Sequence, residues 1–248
     1  MSELHPATRG FAAAEVYERG RPDYPAAAVA RIVERFDLRP GRTVLDLAAG
    51  TGKLTRLLAA SGVGVIAVEP VREMRAELER RVPGVVAVEG TAERIPLEDG
   101  SVDAVTVGQA FHWFDADAAL REIHRVLRPG GGLALIWNAR DERDPLQAAL
   151  SDIIDPLEGD TPRRKQGDWK TLLAGSGLYE RSERVLFEHT QPVDEQQLVE
   201  RVVSISFVAA AAADVRAGVE ERVRELARTA QQPIELPYMT ELYLGFAS

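Results

Sequence analysis

The stretch VLDLAAGTGKLTRLLA, residues 44–59, constrains the fold more than any other part of this 248-residue chain. A short apolar run ends in a turn that contains two glycines, and apolar residues then return at helical spacing. This order predicts a buried strand that leads through a tight turn into a helix. Such a turn suits a dinucleotide, a nucleoside triphosphate or a nucleoside without phosphate.

Strands and helices alternate on both sides of this turn. Helical patterns at 53–61, 72–81 and 115–127 separate short apolar runs with little internal alternation, as expected of strands buried on both faces. These runs are TVLDLA, GVIAVE, VVAVE, VDAVTVG and GLALIW. The alternation predicts a parallel sheet with right-handed crossovers. Further along, residues 140–182 and 194–231 are interpreted as helices and loops, with late strands at VLFEHTQ and IELPYMTELYLGF.

The residues of the glycine turn argue against two of the three ligands. A P-loop needs an earlier glycine and a Ser or Thr after the lysine, but Leu54 follows Lys53. A dinucleotide fingerprint needs three glycines, but Ala48 and Lys53 occupy its first and third positions. Asp46 at the strand end would repel a pyrophosphate and attract a cation. Glu69 closes the second strand, where a carboxylate can bind both ribose hydroxyls, so the turn favours a nucleoside with a positive group and no phosphate.

Charge and residue content narrow the classes of partner. The formal net charge of −9 provides no global basic field for nucleic acid or anionic lipid. The absence of cysteine excludes thiol nucleophiles and thiolate metal sites, and no metal is expected. No stretch has the order of a signal peptide, and the longest apolar run, residues 202–213, is too short to span a bilayer. We therefore expect a cytoplasmic protein, a monomer or homodimer, that contacts neither nucleic acid nor membrane.

Four segments together resemble the class I S-adenosylmethionine-dependent methyltransferases. They are LDLAAGTG, VEP, GTAERIPLEDGSVDAV and REIHRVLRPGGGLAL. The resemblance implies a Rossmann-like α/β fold, with a seven-stranded, mostly parallel sheet whose last strand is antiparallel, helices on both faces, and helical lid elements. It also implies that S-adenosylmethionine binds at the carboxyl ends of the first strands.

The resemblance assigns cofactor roles residue by residue. The methionine moiety would lie among Asp46, Ala48, Gly50 and Gly52, and Glu69 would bind the ribose. Thr91 departs from the family pattern, in which many relatives have Asp, so the adenine amino group would be bound by Thr91, by Glu93 or by backbone alone. The full predicted cofactor set is Asp46, Ala48, Gly50, Thr51, Gly52, Glu69, Pro70, Met74, Thr91, Ala92, Glu93 and Gln109.

Two further segments, YERGRPDYP and GQAFHWFD, are similar to small-molecule methyltransferases that include trans-aconitate methyltransferase-like proteins. This similarity implies an N-terminal lid and places His112 at the rim of the methyl-transfer channel. His112 would act there either as a general base or as a hydrogen-bonding residue that orients the loop. The predicted substrate contacts, whose aromatic members could equally serve packing, are Tyr17, Arg21, Tyr24, Trp113, Trp137, Asn138 and Arg140.

The expected layout is one methyltransferase domain over residues 1–248. Residues 1–40 would form the helical lid, 41–140 the cofactor-binding core, 141–231 the substrate-cap helices with a late strand, and 232–248 the final strand. The expected activity is methyl transfer from S-adenosylmethionine to an oxygen, nitrogen or carboxylate of a small molecule. A nicotinamide-dependent oxidoreductase and a non-catalytic S-adenosylmethionine-binding module are the alternatives.

Overall fold

The computed structural model describes residues 14–162 and 167–248 of the chain. Its strands are β1 Thr43–Leu47, β2 Gly64–Val68, β3 Val86–Val88, β4 Val102–Gly108, β5 Leu127–Arg140, β6 Tyr179–Val193 and β7 Ile234–Ala247. The helices of the described ranges are α1 Ala14–Gly20, α2 Ala26–Arg35, α3 Lys53–Ala59, α4 Arg72–Arg81, α5 Ala116–Val126, α6 Pro145–Ile154, α7 Trp169–Gly175, α8 Glu195–Val203, α9 Ser206–Ala209 and α10 Ala213–Thr229. Single 3₁₀ turns lie at Phe111–Trp113 and Asp155–Leu157.

The strands form one seven-stranded sheet in the order β3-β2-β1-β4-β5-β7-β6. The pairs β1–β2, β2–β3, β1–β4 and β4–β5 are parallel, and the last strands are antiparallel. Strand order reverses between β1 and β4, which are neighbours although β2 and β3 lie between them in sequence. The predicted Rossmann-like, mostly parallel sheet is confirmed.

Two segments differ in length from the predicted strands. The RPGGG segment, which precedes the predicted GLALIW strand, lies within β5, where the register to β4 shifts between the pairs Val102–Leu127 and Ala104–Gly132. The pairing of β5 with β4 is therefore irregular at this segment. β6 also extends beyond the VLFEHTQ run at both ends. The added residues are mostly exposed or half-buried and form no apolar run, so the sequence pattern did not indicate them.

The chain divides into two compact units. The larger unit contains Asp23–Asn138, Pro162–Phe187 and Thr240–Ser248. The smaller unit contains the described residues up to Pro22, together with Ala139–Thr161 and Glu188–Met239. The single-domain layout inferred from the sequence stays a prediction.

The core of the larger unit lies on both faces of the sheet. Successive residues of a strand point to opposite faces, and Val44 and Leu45 of β1 accordingly belong to different buried clusters. Ile32 of α2 and Leu58 of α3 pack in the cluster of Val44, whereas Ile123 of α5 packs in that of Leu45. Helices therefore cover both faces, as predicted.

The smaller unit has its own apolar core. Leu150 of α6, Leu198 of α8 and Val223 of α10 pack there against Leu236 and Tyr238 at the start of β7.

Within residues 14–162 and 167–248, no helix is both long and apolar enough to cross a membrane.

Candidate functional site

The carboxyl ends of β1 and β4 carry unusual backbone conformations. Ala48, the first residue after β1, has φ of 55°, and Gln109, the first residue after β4, has φ of 61°. Residues with a side chain rarely adopt this left-handed region, and such strain is concentrated at functional sites. Both residues follow the two strands between which the strand order reverses, where open α/β sheets bind their ligands.

The two glycines of the turn have different roles. Gly50 has φ of 58°, and a β-carbon added there would meet nothing within 4 Å. Gly52 has φ of 86°, and a β-carbon there would lie 3.0 Å from Leu78 and 3.1 Å from Val82. Gly52 thus allows the start of α3 to pack closely against the α4 segment. Gly50 instead leaves open space beside the turn, into which a side chain would project.

Glu69 joins the turns that follow β1 and β2. Its Oε2 accepts a hydrogen bond of 2.9 Å from the Gly50 amide, and its Oε1 accepts one of 2.9 Å from the Val71 amide. Glu69 is 5% exposed, and burial raises its pKa although the two amides oppose this shift. The carboxylate is therefore fixed at the strand ends, and each oxygen keeps a further lone pair for a ligand hydroxyl.

Asp46, predicted to lie against the cofactor, has a buried side chain. Its Oδ2 accepts a hydrogen bond of 2.6 Å from the Thr55 hydroxyl, and its Oδ1 accepts one of 2.9 Å from the Thr106 hydroxyl. Burial raises the pKa of Asp46 to about 6, although the two hydroxyls favour the ionised form. Because its side chain is almost completely enclosed by the protein, at 1% exposure, Asp46 would act on a ligand through its charge rather than by direct contact.

The positions predicted for the adenine edge are tied to other parts of the larger unit. Thr91 pairs with Arg94 in an isolated antiparallel bridge. Glu93 Oε1 accepts a hydrogen bond of 3.1 Å from the amide of Asp115, the residue that caps α5. Glu93 therefore has a structural partner in addition to its predicted role.

The remaining predicted cofactor positions are mostly buried. Thr51 follows Gly50 in the turn and is 1% exposed, while Met74 on α4 and Ala92 are each 3% exposed. Pro70 follows Glu69 and is half-buried. Their roles in cofactor binding stay predictions.

Asn138 links the end of β5 to Asp23, which lies just before α2. Its Nδ2 donates a hydrogen bond of 3.1 Å to the Asp23 carbonyl, and its Oδ1 accepts one of 2.6 Å from the Thr240 hydroxyl. Gln109 Nε2 donates to the Asn138 carbonyl at 3.4 Å. The hydroxyl of the buried Tyr24 lies 2.5 Å from where a β-carbon of Gly108 would stand. The structure thus brings three predicted residues, Asn138, Gln109 and Tyr24, to the ends of β4 and β5.

Asp23 was missed in the sequence analysis. Its carboxylate pairs with Lys53 Nζ at 3.0 Å and with Arg56, both on α3. Burial alone would raise the pKa of Asp23, but these two cations hold it below its ordinary value. The only sequence signal was an acid within RPDYP, and its partners lie 30 and 33 residues away.

His112 lies in the 3₁₀ turn after β4 and is hydrogen-bonded to a buried indole. Trp137 Nε1 donates to His112 Nδ1 at 3.3 Å. Trp137 is fully buried and stacks on Trp169, with ring centroids 5.2 Å apart. Since an indole N–H only donates, Nδ1 of His112 is the acceptor and a neutral imidazole carries its hydrogen on Nε2. The ring of Trp113, another predicted substrate contact, lies 5.3 Å from that of His112.

Three predicted substrate residues belong to the smaller unit. Arg21 Nη2 donates a hydrogen bond of 3.0 Å to the Ser204 carbonyl at the end of α8. Arg140 Nη2 lies 3.7 Å from Asp155 Oδ1. Tyr17 belongs to α1, and its side chain is outside the described residues. Within the described ranges, no group of three or more His, Asp or Glu side chains could hold a metal ion.

Comparison with known proteins identifies the family of this fold and site. A methyltransferase domain model matches residues 45–135. An uncharacterized methyltransferase of Mycobacterium bovis is 43% identical over 229 residues, covering 90% of this chain and 89% of the relative. A demethylmenaquinone methyltransferase of Beutenbergia cavernae is 47% identical over 130 residues, covering 50% of this chain and 54% of the relative. A solved structure from Anabaena variabilis, described as a methyltransferase of an antibiotic biosynthesis pathway, aligns with a TM-score of 0.65 and 23% identity, over 90% of this chain and 98% of that one.

The chain belongs to the class I S-adenosylmethionine-dependent methyltransferases. The predicted family and enzyme class are confirmed, and neither alternative, an oxidoreductase or a non-catalytic binding module, is supported. The narrower similarity to trans-aconitate methyltransferase-like proteins stays a prediction.

Proposed function

We propose that this chain binds S-adenosylmethionine at the carboxyl ends of β1, β2 and β4 and transfers its methyl group to a small-molecule acceptor. The observation that carries the proposal is the buried Glu69 carboxylate, held by the amides of Gly50 and Val71 beside open space at Gly50. The family supplies the reaction class, and this site supplies a position for the cofactor.

The residues at the strand ends fit a nucleoside that carries a positive charge. Glu69 can accept hydrogen bonds from ribose hydroxyls, because each oxygen uses one lone pair on the protein. Asp46 adds a carboxylate whose charge favours a cationic ligand and disfavours a pyrophosphate. The open space at Gly50 allows a ligand to approach the backbone closely.

When bound, S-adenosylmethionine supplies a sulfonium methyl group that is already activated for transfer. The protein must then hold the acceptor in line with the methyl–sulfur bond and exclude water. Tyr24, Gln109 and Asn138 are fixed by packing or hydrogen bonds at the ends of β4 and β5, and we assign them to this positioning.

We assign His112 the role of a hydrogen-bond donor. A general base needs an unprotonated nitrogen directed at the acceptor, but Nδ1 already accepts the Trp137 N–H. In the neutral ring the hydrogen is on Nε2, so this nitrogen can donate to an oxygen of the acceptor. Of the two roles left open by the sequence, a general base or a hydrogen-bonding residue that orients the loop, this contact argues against the general base.

The acceptor is proposed to be a small molecule, because the net charge of −9 disfavours nucleic acid. The predicted cytoplasmic location and monomeric or homodimeric state stay predictions. The proposal is tested by incubating the protein with S-adenosylmethionine and panels of carboxylates, phenols, quinols and amines, with release of S-adenosylhomocysteine as the signal. Acceptor-dependent release supports it, and release that never exceeds a Gly50→Val control across the panels contradicts it.

A further inference from the structure

Among the residues that the structure describes, the smaller unit contains a buried arginine without a carboxylate partner. Arg201 on α8 is 7% exposed. Within residues 14–162 and 167–248, the structure assigns it no ion pair, and its Nη1 has neither solvent contact nor a hydrogen-bond partner. Arginines of this burial are almost always paired with an anion.

The aromatic surroundings of Arg201 give its charge little compensation. Arg201 Nε donates a hydrogen bond of 3.0 Å to the hydroxyl of Tyr238, which is 1% exposed and belongs to the apolar core of the unit. The guanidinium carbon lies 5.8 Å from the centroid of the Tyr238 ring, and the ring of His189 stacks on that of Tyr238, with ring centroids 5.5 Å apart. A phenol hydroxyl and a ring face are neutral, so within the described part of the unit no opposite charge compensates the guanidinium.

A buried guanidinium cannot relieve this cost by losing its proton, because arginine stays protonated in proteins. An uncompensated buried charge is strongly unfavourable. A bound anion would compensate it, and Nη1 offers a hydrogen-bond donor to that anion. Arginine suits carboxylate and phosphate oxygens because its donors have a planar, forked geometry.

The backbone that carries Arg201 is held in place. Asp194 and Gln197 form a reciprocal capping box at the start of α8, with hydrogen bonds of 2.7 and 3.0 Å. A β-carbon at Gly20 would lie 2.6 Å from the Arg201 amide nitrogen, so α1 approaches α8 closely at this point. The guanidinium is thus presented from a fixed helix, which lowers the entropic cost of binding a ligand.

We propose that the smaller unit binds a small oxyanion, a carboxylate or a phosphate, at Arg201 and Tyr238. The site goes beyond the proposed methyl transfer, since its argument uses no residue of the larger unit. Anion binding and cofactor binding can therefore fail independently of each other.

The test is saturable stabilisation of the full chain by defined anions in the absence of S-adenosylmethionine. Sodium lactate, sodium acetate and inorganic phosphate are titrated at constant ionic strength, with sodium chloride and the neutral acetamide as references. Melting temperature and calorimetric heat are recorded for the wild type, Arg201→Met and Arg222→Met, the last of which removes an exposed arginine of α10 in the same unit. We expect lactate or phosphate to raise the melting temperature saturably in the wild type and in Arg222→Met, and at least tenfold weaker binding in Arg201→Met.

The arms also identify the source of the anion. A response to lactate without phosphate identifies a carboxylate, and the reverse identifies a phosphate. The proposal is overturned if no anion raises the melting temperature of the wild type more than chloride and acetamide do, which is the result expected if only water occupies the site. It is also overturned if Arg201→Met responds like the wild type. Should Arg201→Met fail to fold, Arg201→Lys keeps the charge but loses the forked donors. A response of Arg201→Lys weakened at least threefold supports the site, and an undiminished one overturns it.

Discussion

The Glu69 carboxylate accepts a hydrogen bond of 2.9 Å from the amide of Gly50, which joins the segments that follow β1 and β2. The same carboxylate also accepts from Val71. One buried side chain therefore orders the turn on which cofactor binding is proposed to depend and provides the proposed ribose acceptor. Changes on either side of this contact should affect cofactor affinity.

Substitution of Gly50 should remove cofactor binding without unfolding the chain. Gly50→Val would place a branched side chain in the open space beside the turn, and its φ of 58° would be strained. Gly100→Val is a matched control, since Gly100 also has φ of 58° and no atom within 4 Å of an added β-carbon. We expect both variants to lose similar thermal stability, and only Gly50→Val to lose S-adenosylhomocysteine binding by calorimetry. Equal binding by the two variants would show that the turn faces no ligand.

Asp46 should make the folded protein less stable as pH rises through the mildly acidic range. Its folded pKa of about 6 exceeds the ordinary 3.8, so the folded state binds this proton more tightly than the unfolded chain. The contribution of Asp46 to stability is then greatest below pH 3.8, declines between 3.8 and about 6, and is constant at higher pH. Asp46→Asn should therefore exceed the wild type in stability at pH 7, by on the order of 1–3 kcal/mol, and match it near pH 4.

Asp103 provides a control of opposite sign for this pH dependence. Its carboxylate accepts hydrogen bonds from the Thr43 amide, Arg128 and Arg42, and although burial alone would raise its pKa, these donors hold it below the ordinary value. Asp103 therefore stabilises the fold above pH 3.8, and this contribution is lost as pH falls through its lowered pKa. Urea denaturation from about pH 2 to 7 should show Asp103→Asn less stable than the wild type at pH 7, with the difference declining below pH 3.8. If the free energies of unfolding of the wild type and Asp46→Asn change in parallel with pH, the Asp46 prediction is wrong.

Variants of His112 separate a donor from a general base. Glutamine keeps an N–H donor and an oxygen that can accept the Trp137 N–H, so His112→Gln should keep kcat/KM within about tenfold of the wild type, whereas His112→Ala should lose more. Removal of a general base should instead cost roughly a hundredfold or more in both variants. The measurement is the rate of S-adenosylhomocysteine release with an acceptor identified by the panels, from pH 6 to 9. His124→Gln on α5 controls for the loss of an imidazole elsewhere in the larger unit. Equal hundredfold losses in both His112 variants would restore the base assignment.

Much of the fold could be predicted because it depends on local patterns. The strand ends that carry Asp46 and Glu69 follow from apolar runs bounded by turn residues, and the structure has β1 and β2 at these runs. The long β6 was predicted only in part, since it lies at the edge of the sheet and its outer residues alternate instead of forming an apolar run. The register shift between β4 and β5 was also missed, because register depends on the neighbouring strand.

Interactions between distant segments account for what the sequence did not predict at the site. Asn138 contacts Asp23 across 115 residues, and Arg201 contacts Tyr238 across 37. Neither pairing has a local signature, since the two residues of each pair lie in different elements of the fold. The sequence could predict Asp46 near the cofactor, but the pairing of its carboxylate with Thr55 and Thr106 requires the folded arrangement of α3 and β4.

Calorimetric titration with S-adenosylmethionine of the wild type, Glu69→Gln and Glu89→Gln tests the central claim most directly. Glu89, whose side chain is 75% exposed and pairs with Arg75, controls for the loss of a carboxylate at the neighbouring strand end. We expect one site per chain in the wild type and in Glu89→Gln, no comparable binding of NAD, and roughly ten- to hundredfold weaker binding in Glu69→Gln, the loss expected for hydrogen bonds to a charged group. Unchanged affinity in Glu69→Gln, or binding of NAD in place of S-adenosylmethionine, would contradict the account.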